Sequence, residues 1–168
     1  MAEVRLLTPQ DDRKAFSCSN IELDYYFQKF AGQNQFKNYI GSNYVIVEEG
    51  EILGFVSVTT SELYKASIPP EESKGVPNYP LPVLKLTRLG VKTEYQGSGV
   101  GRVLLKHVLM LALKQKERVG CFGVVVDAKE EALEYYKKFG FIALEAVTKT
   151  QTIPMFLAVK TIEKSQLL

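Results

Sequence analysis

The sequence is poor in the side chains on which much enzyme chemistry depends. It has two cysteines, Cys18 and Cys121, and one histidine, His107, in 168 residues. Two isolated cysteines cannot build a disulfide framework or a metal cage, so both are expected to be plain thiols in a reducing compartment and no metal is expected. His107 falls between Val103 and Leu111 on the apolar flank of a helical pattern, with no cysteine or serine nucleophile at evident spacing, and reads as a packed side chain. Neither Gly-Lys-Ser nor Gly-Lys-Thr occurs, which removes the phosphate and magnesium ligands of a P-loop. Long apolar runs are also missing. The stretch Val119 to Val126 is far short of a membrane span, and Glu3 and Arg5 precede any apolar run at the N-terminus. The expectation is a cytoplasmic protein with no membrane partner. There is little excess charge of either sign: 21 Lys+Arg against 19 Asp+Glu leave +2, which neither demands nor excludes a polyanion.

What is present is enough for one core. Hydrophobic residues make up 46% of the chain, and its length suits a single domain over residues 1–168. The chain is organised around Thr87 to Val103, an apolar strand that crosses a glycine-dense turn into a long helix. Gly97, Gly99 and Gly101 alternate with small residues where that helix begins, so backbone N–H groups can converge on an anion with no Cβ in the way, assisted by the helix dipole. The order Gly97-Ser98-Gly99-Val100-Gly101, late in the chain, is not the G-x-G-x-x-G of a dinucleotide fold.

Taken in order, Val4 to Leu7 reads as a strand ended at Thr8-Pro9, and Asp11 to Lys14 as a solvated turn. Ser19-Asn20 can cap a helix whose Ile21, Leu23, Tyr26, Phe27, Phe30 and Ala31 form a buried stripe. Gly32 to Gly41 is polar and without period, and reads as a loop. Tyr44 to Val47 and Ile52 to Val58 form a hairpin through Glu48-Glu49-Gly50-Glu51. Five prolines from Pro69 to Pro82, in the stretch Tyr64 to Pro82, leave room only for a helical turn near Pro70-Glu71-Glu72. In the strand Pro82 to Lys92, Leu84 and Leu86 have one parity and Leu89 and Val91 the other, which predicts a bulge near Thr87-Arg88 if both pairs face the core. Such a bulge would splay the strand from its parallel neighbour.

A long amphipathic helix follows over Val100 to Arg118, then an apolar strand over Cys121 to Val126. Asp127 and Glu130 have N-cap and N3 spacing for a further helix that Gly140 ends, with Ala132, Tyr136 and Phe139 on its inward face. Phe141 to Leu144 and Ile153 to Val159 read as closing strands before a loose tail. The order is β, α, hairpin, long loop, β, α, β, α, β, β: a mixed sheet with helices on both faces.

Two linked motifs, Gln96-x-x-Gly99-x-Gly101 and Ala132-x-x-x-Tyr136-x-x-x-Gly140-Phe141, resemble those of the GNAT superfamily of N-acetyltransferases. That resemblance implies an α/β fold with a mixed, mostly antiparallel sheet, a splayed parallel strand pair and helices on both faces. Within the superfamily the chain resembles the toxin branch that acetylates aminoacyl-tRNA, through Phe16-x-Cys18-x-Asn20-x-x-Leu23-Asp24 and through Pro80-Leu81-Pro82-Val83-Leu84 followed by Arg88-Leu89-Gly90-Val91. Ser19 stands where that branch often has glycine, Gly90 where it often has alanine, and Lys92 where aspartate is common.

The resemblance implies acetyl-CoA as cosubstrate and direct attack of an amine on its thioester. Leu89, Gly90 and Val91 would hold the thioester carbonyl and pantetheine arm, and the turn of Gln96, Gly97, Ser98, Gly99, Val100, Gly101 and Arg102 the pyrophosphate. Tyr136 would be the general acid near sulfur, with Tyr135 pointing elsewhere. No base for the acceptor amine stands out among Glu22, Asp24 and Glu62, and water can serve. Three readings follow: acetylation of the α-amine of aminoacyl-tRNA by a toxin, acetylation of a small amine or protein amino group, and a non-catalytic acyl-CoA-binding module. Lys85, Arg88, Lys92, Arg102 and Lys106 cluster about the cofactor motif, diluted by Glu62, Glu71, Glu72 and Glu94. The implied partners are charged tRNA, a ribbon-helix-helix antitoxin and, as is common in the family, a second copy of the chain in a homodimer.

Overall fold

The computed structural model describes residues 2–144 and 151–165. The chain forms β1 (Glu3–Leu6), α1 (Ile21–Tyr25), β2 (Ser42–Glu48), β3 (Glu51–Leu63), β4 (Leu81–Val91), α2 (Val100–Arg118), β5 (Gly123–Lys129), α3 (Leu133–Lys138), β6 (Ile142–Ala143), β7 (Thr152–Ala158) and α4 (Val159–Lys164). Among the described residues the seven strands make one mixed sheet in the order β1-β2-β3-β4-β5-β7-β6. Its one parallel pair is β4 and β5, neighbours joined through α2. The chain divides into two compact units, Met1–Thr59 with Leu86–Val108, and Thr60–Lys85 with Leu109–Leu168.

In the first unit β1, β2 and β3 pair antiparallel. The hairpin turns at Glu49 and Gly50, whose φ values of 50° and 80° are those a type I′ turn needs, so the Glu-Gly pair does what its sequence suggested. Phe55 of β3 stacks on Phe27, ring centroids 4.3 Å apart, in a cluster with Leu7, Phe16, Cys18, Tyr26, Ala31 and Val45. Asn20 caps α1 by accepting from the Leu23 amide at 3.1 Å. The helix does not fray at Gly32, as its polarity suggested, but continues in π-helical turns at Tyr26–Phe30 and Gln33–Lys37. Gln35 explains the difference: its amide donates to the Leu7 carbonyl at 3.0 Å and accepts from the Asn43 amide at 2.9 Å. Phe36 of the same turn packs against the core cluster, so one apolar and one polar side chain dock it together. Ile21 and Phe30 leave the expected buried stripe, being 87% and 41% exposed. Asp11 is likewise no solvated turn residue, since both its oxygens bond Arg5, at 2.8 and 2.9 Å.

β4 runs unbroken from Leu81 to Val91, with Leu84, Leu86 and Gly90 buried and Leu89 and Val91 only half-buried. The Leu84–Leu86 pair is buried and the Leu89–Val91 pair is not, so burial by itself gives no reason for the extra residue expected at Thr87-Arg88. Gly90 is where the strand is closed upon: a Cβ there would lie 2.7 Å from the Phe55 ring and 3.4 Å from the Cys18 sulfur.

In the second unit β5 pairs with β7 from Gly123↔Ala158 to Lys129↔Thr152. Asp127 is therefore a strand residue and not the expected cap, and it pairs with Lys85 at 2.9 Å. α3 ends as predicted at Gly140, with φ of 99°. The Gly140 amide bonds the Lys137 carbonyl at 3.0 Å and the Phe141 amide the Tyr136 carbonyl at 3.2 Å, a Schellman closure. β3 runs on to Leu63, past the expected end at Val58, and the turn near Pro70 forms through Glu72 and Ser73 amides bonded to the Pro69 carbonyl. The expected loose tail instead begins with α4, which buries Val159 and Ile162 and pairs Glu163 with Lys116 at 2.6 Å. The end of that tail lies outside the described residues.

Candidate active site

The glycine turn is built as the sequence implied. After β4 comes a single 3₁₀ turn, Thr93–Tyr95, and then Gly97 and Gly99 take φ values of 81° and 94°. Residues 96–99 are exposed, and nothing lies within 4 Å of the place a Cβ would occupy at Gly97 or Gly99. The Val103 amide bonds the Gly99 carbonyl at 3.1 Å, so the amides of Val100 and Gly101 precede the first intrahelical bond of a 19-residue helix. Open space, positive φ and helix-terminal amides together fit a pyrophosphate. A side chain at Gly97 or Gly99 would obstruct that approach.

Gln96 and Val91 do something the sequence did not indicate. The Gln96 amide nitrogen donates to the Cys18 carbonyl at 2.8 Å and to the Val91 carbonyl at 3.0 Å. The side chain braces the turn, and the Val91 carbonyl is engaged within the protein. Ser98 closes a local bond within the exposed turn, its hydroxyl donating to the Tyr95 carbonyl. Leu89 and Gly90 lie on β4 immediately before this brace, and Arg102 is exposed in the first turn of α2.

Further residues grip the turn from outside it. Thr93 donates its amide to the Ser17 carbonyl at 3.1 Å, and its hydroxyl lies 2.8 Å from that of Ser19. Glu51 receives the Lys92 ammonium at 2.6 Å and the Tyr95 hydroxyl at 2.8 Å. The Lys92 bond holds the Glu51 carboxyl below its ordinary range, with Tyr95 adding to the effect. No sequence motif places Ser17, Ser19 or Glu51 against this turn. The departures did carry a signal: Lys92 replaces a common aspartate and finds an acid on β3, while Ser19 occupies a glycine-like φ of 65°.

Tyr136 sits at the C-terminal end of α3, in the second unit, 6% exposed, its ring edge-on to Phe141 at 5.5 Å. It is the residue whose carbonyl closes the Schellman bond and whose ring meets the residue after the terminating glycine. The spacing Tyr136 to Phe141 thus has a folding reason independent of chemistry. Burial, with a smaller contribution from Tyr135, pushes the Tyr136 phenol up to about 12, so it stays protonated through the neutral range. Tyr135 is half-buried and lies at 79° to the Tyr136 ring. His107 packs beside Tyr44, centroids 4.5 Å apart, as a structural histidine would. Among the described residues no group of three or more His, Cys, Asp or Glu could hold a metal, and no helix is long and apolar enough to cross a membrane.

Residues 40–143 match the acetyltransferase (GNAT) domain family, and the chain belongs to it. It is an acetyltransferase, and acetyl-CoA is the acyl donor. Among curated relatives it is 30% identical over 139 residues, covering 82% of both chains, to the tRNA-acetylating toxin of Mycobacterium tuberculosis. It is 24% identical over 175 residues, covering 96% of this chain and 94% of the other, to a probable toxin TacT of Sinorhizobium fredii. Among solved structures, AtaT complexed with acetyl-methionyl-tRNAfMet is similar with a TM-score of 0.86 and 26% identity, covering 97% of this chain and 98% of that one. AtaTR bound with acetyl-CoA follows at 0.78 and 26%, covering 96% of each.

Proposed function

We propose that this chain transfers the acetyl group of acetyl-CoA to the α-amine of aminoacyl-tRNA, as the toxin of a toxin–antitoxin pair. The observation that carries the acceptor is the 30% identity to a tRNA-acetylating toxin, sustained over 82% of both chains. The same reading brings an antitoxin as partner, as the antitoxin AtaR is to the AtaT toxin, and the cytoplasm, where charged tRNA resides.

Acetyl-CoA supplies an activated thioester carbonyl. In the proposed roles, the amides of Gly97 to Arg102 hold its pyrophosphate, and the backbone of Leu89, Gly90 and Val91 orients the carbonyl and pantetheine arm. Gln96 keeps the turn in place through Cys18 and Val91. Tyr136 donates toward the departing sulfur. A phenol at about 12 is a weaker acid than an ordinary thiol at about 8.5, so complete transfer of its proton is uphill on its own. Tyr136 therefore works best as a hydrogen-bond donor to developing thiolate, with the proton released by the attacking amine making good the balance. The C–N bond forms, the C–S bond breaks, and one proton passes in net from nitrogen to sulfur. An esterified amino acid carries a weakly basic α-amine, so water is an adequate first acceptor of that proton.

Labelled acetyl-CoA offered to charged tRNA and to a panel of free amines is the direct test. Label on charged tRNA, with growth arrest in cells relieved by Tyr136→Phe, is the expected result. Strong acetylation of a small amine with none of charged tRNA would move the protein to another acceptor and leave its fold and acyl donor unchanged.

A further inference from the structure

Lys85, Arg88 and Lys92 are spaced along and just beyond β4, and their surroundings separate them. Lys85 is paired with Asp127 at 2.9 Å, and Lys92 with Glu51 at 2.6 Å and Glu94 at 3.7 Å. Arg88 has no acidic partner among the described residues. Its guanidinium lies over the ring of Tyr26, 3.7 Å from the centroid. Stacking on an aromatic face fixes the plane of a guanidinium while leaving its N–H donors, which point outward in that plane, unused.

The platform is rigid for reasons visible in the core. Tyr26 is 8% exposed, its hydroxyl donates to Asn43 Oδ1 at 3.0 Å, and Asn43 is itself bonded by Ser57 and by the Ala31 carbonyl. Tyr26 also opens the first π-helical turn, a feature of helices that recurs at functional sites. A half-buried cation without a counter-charge is costly to maintain, and here it stands one residue before Leu89 to Val91, the backbone assigned to the reacting carbonyl.

We propose that Arg88, stacked on Tyr26, grips a phosphodiester of the acceptor RNA next to its aminoacylated end. The inference rests on the aminoacyl-tRNA reading and names the residue that would distinguish such an acceptor from a free amine. A planar fork of donors matches phosphate in two-point contact, and the acceptor's nearest phosphate is about one nucleotide from the amine that must reach the thioester. The neighbouring lysines are already neutralised, so the positive charge available to RNA along this strand is smaller than the residue count suggests and is concentrated at Arg88.

The test is steady-state transfer to a charged tRNA over a series of salt concentrations, with acetyl-CoA affinity measured by calorimetry for wild type, Arg88→Gln and Arg88→Lys. Arg88→Gln is expected to raise KM for charged tRNA about 10-fold or more and to reduce the slope of log KM against log salt by about 0.7 to 0.9, the loss of one phosphate contact, with acetyl-CoA affinity unchanged. Arg88→Lys should keep the slope and raise KM by a few-fold, because it keeps the charge and loses the fork. A salt-dependent KM that Arg88→Gln leaves unmoved would overturn this role alone. A parallel loss of acetyl-CoA affinity would also overturn it, by making Arg88 structural. Absence of transfer to charged tRNA by the wild type would remove the acceptor reading and this proposal together.

Discussion

The side-chain amide of Gln96 and the backbone carbonyl of Cys18, 78 residues apart in sequence, are joined by a 2.8 Å hydrogen bond. The bond ties the glycine turn to the segment that leads into α1. Thr93 repeats the attachment through the Ser17 carbonyl, and Gly90 admits Phe55 and Cys18 against β4. With Glu51 holding Lys92 and Tyr95, the turn is thus placed by contacts from earlier chain before any ligand arrives, which lowers the ordering cost of binding.

Gly101 is already helical, unlike Gly97 and Gly99, so Gly101→Ala adds a Cβ without forcing the backbone. Helix propensity predicts unchanged or slightly raised stability, by up to about 1 kcal/mol. Acetyl-CoA affinity should fall at least tenfold by calorimetry, because the new methyl group stands among the first-turn amides. A stable variant that binds as wild type does would place the pyrophosphate elsewhere.

Tyr136→Phe should lower kcat by about 10²-fold or more while sparing acetyl-CoA affinity, and Tyr135→Phe should do much less. Since the Tyr136 phenol is raised to about 12, it is in its donating form at every lower pH. The kcat/KM profile should accordingly climb as the acceptor amine loses its proton and then stay level to about pH 10. A descending limb near pH 9 that disappears in Tyr136→Phe would show that the phenol ionises far lower in the working enzyme.

Ser19 holds a φ of 65° and shares a 2.8 Å hydrogen bond with Thr93. The conformation costs a non-glycine residue about 1 kcal/mol, and the exposed bond returns about half of that. Ser19→Gly should remain within about 0.5 kcal/mol of wild type in denaturant melts, while Ser19→Ala, which keeps the strain and loses the bond, should be the less stable of the two. The opposite order would mean that the φ relaxes in solution.

Arg5 grips Asp11 through both carboxylate oxygens, and Thr8 adds its amide at 2.8 Å. The Arg5 hydrogen bonds are the main cause that lowers Asp11 from 3.8 to about 2. A depressed carboxylate stabilises the fold above its unfolded value and loses that contribution as pH falls through the folded one. Asp11→Asn should cost about 1 kcal/mol at pH 7, after allowance for solvent screening of the partly exposed Arg5. The gap in Tm should close between pH 4 and pH 2, and a gap that persists at pH 2 would assign the loss to packing.

What the sequence determined by itself was local and periodic. Glycines 97, 99 and 101 announced the turn, Glu49-Gly50 the hairpin, Asn20 the cap of α1 and Gly140 the end of α3, because each is a backbone requirement met within a few residues. The order of elements as far as β7 followed from the same signals, and two short motifs were enough to reach the family. Tertiary structure decided whatever depended on partners distant in the chain. Residues 33–37 became helical because Gln35 found Leu7 and Asn43 and Phe36 found the core, and Asp127 stayed in β5, where its strand pairs with β7 and its carboxylate meets Lys85. Charge was the least legible property of all. Lys85, Arg88 and Lys92 look alike in sequence, yet two are neutralised by acids and one is stacked on a tyrosine, because electrostatic character depends on neighbours a few ångströms away and not on residue type.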